Sequence, residues 1–308
     1  MTKSSRTHSV QRLTRPGHVH KLPDEQRKTM MKVTILGAGR MGSVMAARLA
    51  DTGHLVTIWD RDPDHASRPA GIGVTAVADA ASAVADASVV ITMVTNGQAV
   101  HAVAEQMLSA MRPDAVWVQA STVGAEWADR LRAVADAHGR TMLDAPVSGS
   151  TGPARTGKLS WLVAGPSSAV DAARLVLDAL GERVLVVGTR QEASRLKLVV
   201  NTWMTAATVA MADALAACDR LGIAPSALLE VVAGGQLAMP YALQKAQQMT
   251  DRDFTAGFPV ELALKDGRLM KQAEGLQRPL AHAVEERLQR VVDAGHARDD
   301  LAAVAVVN

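Results

Sequence analysis

Lys197, Asn201, Thr205 and Thr208 recur at spacings of four, four and three within an otherwise apolar, Ala- and Met-rich stretch. On a helix they would stack along one face. A lysine on an apolar helix must snorkel, find a partner or change its pKa, and a lysine so placed can move protons. Far upstream, Gly37-Ala38-Gly39-Arg40-Met41-Gly42 is a G-x-G-x-x-G directly after a short apolar run. Its glycines permit a tight turn, close approach to a pyrophosphate and tight helix packing, and the helix N-terminus then binds the anion. Asp60 closes the next apolar run and could accept hydrogen bonds from an adenosine ribose. Arg61 could instead pair with a 2′-phosphate. Asp62 adds negative charge, so we favour NAD over NADP. A third motif, Asp144-Ala145-Pro146-Val147-Ser148-Gly149-Ser150, would place backbone amides and a hydroxyl where a strand ends, and Ser121-Thr122 has the same position logic. Each motif has a plain alternative: a lysine capping a surface patch, or an ordinary Gly/Ser turn.

These residues need elements to hold them. Apolar runs of strand length lie at 32–36, 55–59, 89–94, 115–119, 141–143, 161–164 and 183–187, with helical patterns at 43–51, 98–109 and 124–138. Strands alternating with helices imply a doubly wound parallel sheet of Rossmann type. That pattern stops at Gly188. One long helix is expected over about 192–221, apolar nearly all round and hence buried by neighbours or by another subunit. Helical segments at 225–232, 240–249, 260–274 and 280–294 follow, without strand signals. The expected organisation is α/β: a basic, disordered extension over 1–30, a nucleotide-binding domain over 31–191 and an all-helical domain over 192–308, joined by the long helix.

With 308 residues the chain can bury two substantial cores. Seven Lys/Arg against two Asp/Glu give residues 1–30 a charge of +5, leaving −3 on the remainder of a chain whose total is +2. Scarce aromatics and a mildly acidic body argue against nucleic acid as a partner. Cys218 is the single cysteine, which excludes an internal disulfide and a multi-cysteine zinc site, and we expect no metal. No uncharged apolar run long enough for a membrane span is evident. A cytoplasmic, homodimeric or homotetrameric protein acting on a small molecule is expected.

The set Gly37–Gly42, Ser121-Thr122-Val123, Asp144–Gly149, Lys197-x-x-x-Asn201 and Lys265-Asp266 resembles the β-hydroxyacid dehydrogenases, in order, from about Lys32 to near the C-terminus. The motifs are most similar to the glyoxylate/succinic semialdehyde reductase branch. The resemblance implies that Lys197 is the catalytic lysine and Asn201 the asparagine that places the substrate. Ser121, Ser148 and Gly149 would hold the substrate carboxylate. Gly37, Ala38, Gly39, Arg40, Met41, Gly42, Asp60, Arg61, Val94, Thr95, Thr122 and Lys265 would contact the nucleotide, with Asp266 orienting Lys265. The reaction implied is NAD(P)-dependent interconversion of a small β-hydroxy acid and its semialdehyde or keto acid, with Lys197 giving or taking the proton. The alternatives are an NADPH-dependent imine reductase, which shares the architecture but usually lacks this lysine, and a cofactor-binding regulator without turnover.

Overall fold

Residues 30–69, 73–275 and 278–307 are described by a computed structural model. The extension expected over 1–30 lies, apart from Met30, outside the described residues. Met31–Asn308 forms one compact unit.

Nine strands form one sheet among the described residues: β1 (Lys32–Leu36), β2 (Leu55–Trp59), β3 (Val74–Ala76), β4 (Val89–Thr92), β5 (Val116–Gln119), β6 (Thr141–Asp144), β7 (Val147–Ser148), β8 (Leu159–Ala164) and β9 (Gly181–Gly188). Their order is β3-β2-β1-β4-β5-β6-β8-β7, with β9 also paired to β8. From β3 to β6 every pairing is parallel. The order reverses between β1 and β4, and ligands of open α/β sheets sit at the carboxyl ends of the strands at such a point.

Two departures from the sequence reading occur in this sheet. β3 and β7 are too short to stand out as apolar runs. β8 runs antiparallel to β6 and β7, because the link from Ser148 to Leu159 is too short for a crossover that would restore parallel direction.

Helices cover both faces, as the alternation of side chains requires. Val89 and Ile91 point to one face, with α1 (Arg40–Asp51) and α7 (Ser167–Leu180) packed over them. Val90, Trp117 and Met142 point to the other, beneath α3 (Ala80–Val84), α4 (Gly97–Met107) and α5 (Ala125–Ala137). Short helices α2 (Pro63–Ser67) and α6 (Thr151–Arg155) sit in loops.

No strand follows Gly188 among the described residues. α8 (Glu192–Arg220) is 29 residues long. It is followed by α9 (Pro225–Ala233), α10 (Pro240–Asp251), α11 (Val260–Glu274), α12 (Pro279–Val291) and a short 3-10 segment, Leu301–Val306. Val209 and Ala212 of α8 share a core with Leu264, Leu288 and Leu301. α8 is the one helix among the described residues long and apolar enough to cross a membrane by length and composition, though Lys197 and Asp213 interrupt it, in line with the absence of an uncharged run of that length. Its polar stripe packs inside the protein instead: Lys197, Asn201, Thr205 and Thr208 are all buried.

The α4–α5 packing rests on a missing side chain. A Cβ at Gly97 would lie 2.0 Å from Cγ of Trp127. Overpacking of this kind costs about 1–3 kcal/mol. Gly97→Ala is therefore expected to lower the Tm by several degrees with unchanged far-UV circular dichroism; a melting curve superimposable on wild type would contradict this packing.

Candidate active site

Every expected site residue from the N-terminal half lies at a carboxyl strand end. β1 runs into Gly37, whose φ is +111° and where a Cβ would sit 2.3 Å from the Met93 carbonyl oxygen at the end of β4. Only glycine fits where the two strand ends meet. A Cβ on Gly42 would fall 1.8 Å from the Gly37 oxygen, so α1 leaves the loop at closest approach. Gly39 differs: a Cβ there would meet nothing within 4 Å. Gly39 is also the N-cap of α1 and supplies no capping side chain. The first amides of α1 therefore face open space, which fits a pyrophosphate. Ala38 is buried, Met41 half-buried and Arg40 exposed.

Asp60 stands where β2 ends. Its Oδ2 accepts the Ala38 amide at 2.7 Å and its Oδ1 the Asp62 amide at 2.9 Å. An ionised carboxylate has about four acceptor positions, so two bonds leave room for ribose hydroxyls. Arg61 is exposed and has no partner among the described residues.

At the ends of β4 and β5, Ser121 is fully buried. Its hydroxyl accepts the Val94 amide at 2.8 Å and donates to the Thr92 carbonyl at 3.3 Å. Gln119 holds it from below, taking the Ser121 amide at 2.8 Å and donating to its carbonyl at 3.0 Å. The side chain expected to meet a substrate carboxylate thus shapes the Met93–Thr95 turn. Gln119, absent from the sequence reading, looked like one more strand residue. Ser148, half-buried, and Gly149, exposed with φ +125°, lie on the open turn after β6.

α11 reaches across to this edge. Lys265 Nζ donates to the carbonyls of Thr95 at 3.2 Å and Thr122 at 2.9 Å, strapping together the loops that follow β4 and β5. Asp266, buried, pairs with Lys265 at 3.1 Å and accepts Asn201 Nδ2 at 2.5 Å. An ionised carboxylate only accepts, so Nδ2 must face Asp266. Asn201 Oδ1 is then left buried without a hydrogen bond among the described residues.

Lys197 lies one turn before Asn201, 9% exposed and without a hydrogen bond or ion pair among the described residues. Burial lowers its pKa from the ordinary 10.5 to about 8; nearby Asp266 opposes the shift and Lys265 adds to it. A free amine and a free amide oxygen lie one turn apart here: the amine can exchange a proton with a hydroxyl, and the oxygen can accept from a neighbouring N–H.

The register of α8 is set by a contact the sequence did not announce. Asp144, fully buried, accepts the Ser194 amide at 2.7 Å and the Ser194 hydroxyl at 2.5 Å. It caps the first turn of α8 from the end of β6, because Gln191 at the N-cap makes no side-chain cap of its own. Burial raises its pKa to about 6, against the pull of the Ser194 bonds. Asp144 thus links the Ser148–Gly149 turn to the helix that carries Lys197.

Comparison with known proteins identifies the family. Residues 32–188 match the model of the NAD-binding domain of 6-phosphogluconate dehydrogenase. Residues 192–307 match the NAD-binding domain of NADP-dependent 3-hydroxyisobutyrate dehydrogenase. A probable 3-hydroxyisobutyrate dehydrogenase of Mycobacterium tuberculosis is 32% identical over 89% of this chain and 97% of its own. The 3-hydroxyisobutyrate dehydrogenase of Pseudomonas aeruginosa is 31% identical over 80% of this chain and 87% of its own. The structure of Mycobacterium tuberculosis 3-hydroxyisobutyrate dehydrogenase with L-serine superimposes with a TM-score of 0.83 at 30% identity, covering 90% of this chain and 98% of that one. With both halves and most of its length matched, the chain belongs to the β-hydroxyacid dehydrogenase family, NAD(P)-dependent oxidoreductases that act on alcohol groups.

Proposed function

We propose that the protein interconverts a small β-hydroxy acid and its semialdehyde or keto acid, with Lys197 as the general acid/base and NAD as the preferred nucleotide. The observation that carries this reading is Lys197 itself: buried, unpartnered and with a pKa of about 8. A general acid/base works best with a pKa near the operating pH. In oxidation, neutral Nζ takes the proton of the substrate hydroxyl. In reduction, the ammonium returns a proton to the carbonyl oxygen. The single hydroxyl proton goes to Nζ, so the free Asn201 Oδ1 serves to accept an N–H of Lys197 and orient its lone pair towards the substrate, while Asp266 keeps the amide from turning. Ser148 and Gly149 hold the substrate carboxylate, with Ser121 supporting the neighbouring turn from beneath.

The open N-terminus of α1 would hold the pyrophosphate and Asp60 the adenosine ribose, with Val94, Thr95 and Thr122 along the crevice. When bound, the nicotinamide supplies or takes up the hydride. A carboxylate at Asp60 repels a 2′-phosphate, which supports NAD. L-Serine, present in the Mycobacterium tuberculosis structure, is itself a β-hydroxy acid, which supports the substrate class. A second copy of the chain would cover the exposed apolar residues Trp203, Leu221, Val231 and Leu237 of the α8–α9 region; they are 62–74% exposed, and α9 buries none of its residues.

Three measurements test the reading. Lys197→Ala should lower kcat by about 10²-fold or more and leave nucleotide affinity unchanged. A loss under about tenfold, worth ~1.4 kcal/mol, would remove Lys197 from the chemistry. In the wild type, kcat/KM for oxidation should rise with pH and level off above about 8, while that for reduction should fall there. Pairwise titration should show tighter binding of NADH than NADPH; the opposite order refutes the assignment of Asp60.

The same lysine predicts a stability effect. Its folded pKa is depressed, so the unfolded chain binds more protons between about 8 and 10.5 and stability rises with pH through that interval. Below it the cost is fully present, about 3 kcal/mol. Lys197→Met should therefore raise the Tm at pH 7 while abolishing turnover, and the gain should shrink as pH approaches 10.5. A lower Tm for this variant at pH 7 would count against an uncompensated buried charge.

A further inference from the structure

A second buried lysine lies in the helical half, and it touches none of the residues placed in the chemistry above. Lys245, on α10, has a side chain 4% exposed, and its Nζ lies 2.5 Å from Oδ1 of Asp300, whose side chain is fully buried. Nζ also donates to Gln248 Oε1 at 2.9 Å and lies 5.2 Å from the centre of the Tyr241 ring. A buried pair of this kind is rarely the most stable filling for its volume, since desolvating two charges costs about as much as their attraction returns. Its other bonds indicate what it does.

Asp300 Oδ1 also accepts the Ala302 amide at 2.9 Å. Oδ2 accepts two consecutive amides of another segment, Gly257 at 2.8 Å and Phe258 at 3.1 Å. Backbone bonds fasten the same segment: the Asp300 amide to the Phe254 carbonyl at 2.9 Å, the Leu301 amide to the Phe258 carbonyl at 2.9 Å, and the Val260 amide to the Asp299 carbonyl at 3.0 Å. The strap Phe254–Pro259 is therefore fastened at its ends by backbone bonds and at Gly257–Phe258 by one carboxylate, which Lys245 neutralises. The strap has two neighbours of consequence. A Cβ built on Gly257 would sit 3.8 Å from Ser150 Cβ and 3.9 Å from Ser150 Oγ. Gly257 thus faces the turn that holds Ser148 and Gly149. At its other end the strap becomes α11, five residues before Lys265 and Asp266.

We propose that Lys245 and Asp300 are positioning residues that fix the Gly257–Phe258 strap against Ser150, forming the wall of the carboxylate pocket opposite Ser148–Gly149. The pair touches neither substrate nor nucleotide. It acts by holding the strap at the distance that a small acid fills. This rests on the functional reading above, but the grip itself can be tested without turnover.

Hydrogen exchange of the full-length protein provides the first arm. In Lys245→Met, the amides of Gly257 and Phe258 should exchange at least tenfold faster, with the first turns of α8 unchanged. Unaltered protection of those two amides overturns the proposal. Kinetics with 3-hydroxyisobutyrate and L-serine provide the second arm. Lys245→Met should raise KM for the acid tenfold or more, keep kcat within threefold and keep the Kd for NADH within twofold, and Lys245→Arg should recover most of the loss. A purely structural pair would instead lower active concentration, and hence apparent kcat, at constant KM; that result also overturns the proposal. If Lys245→Met does not fold, Gly257→Ala decides, because it keeps the ion pair and adds a methyl 3.4 Å from Asp300 Oδ2 and 3.8 Å from Ser150 Cβ, in ordinary contact with both. KM should then rise at least threefold, and an unchanged KM overturns the proposal. Should the wild type bind NADH yet oxidise neither acid, the functional reading fails by itself, while the exchange arm still decides whether the strap is held as described.

Discussion

One charge is kept where water would not leave it. Lys197 lies on the longest helix among the described residues, buried on the same face as Asn201 and with no counter-ion in contact. The surroundings can be understood as the conditions for that placement. Asp266 is close enough to raise the lysine's proton affinity, yet its Oδ2 accepts Asn201 and its Oδ1 lies 3.1 Å from Lys265 Nζ. The ammonium is therefore attracted without being neutralised. A direct salt bridge would stabilise the fold and fix the proton in place; a purely apolar pocket would drive the proton off altogether. The arrangement lies between those limits, and the proton transfer proposed for Lys197 depends on that balance.

Two carboxylates and a lysine hold this arrangement across the seam between sheet and helices. Asp144 fixes the start of α8 from the end of β6. Lys265 fixes α11 to the loops after β4 and β5. Asp266 then joins α11 back to α8 through Asn201. The circuit closes on itself: sheet edge, α11, α8 and sheet edge again. Each link is a charge-assisted hydrogen bond, of the kind that is shortest and most directional.

Much of this was legible in the sequence, and the reasons differ by residue. The glycine loop announced itself because close approach at Gly37 and Gly42 admits no other residue. Lys197 and Asn201 stood out because their polarity conflicts with the helix around them. β7, two residues long, carries no periodicity to detect, and the antiparallel turn of β8 is a property of connection length. Asp144 was visible as part of a motif, yet its partner Ser194 lies fifty residues on, and spacing says nothing about a bond of that span. Ser121 shows the limit from the other side. Its type and position suited a ligand, and only the three-dimensional neighbourhood assigns its hydroxyl to Val94 and Thr92.

The bond between Asp60 and the Ala38 amide constrains how this protein could be altered. The carboxylate that a redesign for a phosphorylated nucleotide would remove is also the acceptor that pins the glycine loop. Exchanging it for a neutral residue would loosen the anion cradle in the same step that relieves the repulsion. On the proposed preference for NAD, a gain in one direction is offset by a loss in the other, because one carboxylate serves both the loop and the ribose.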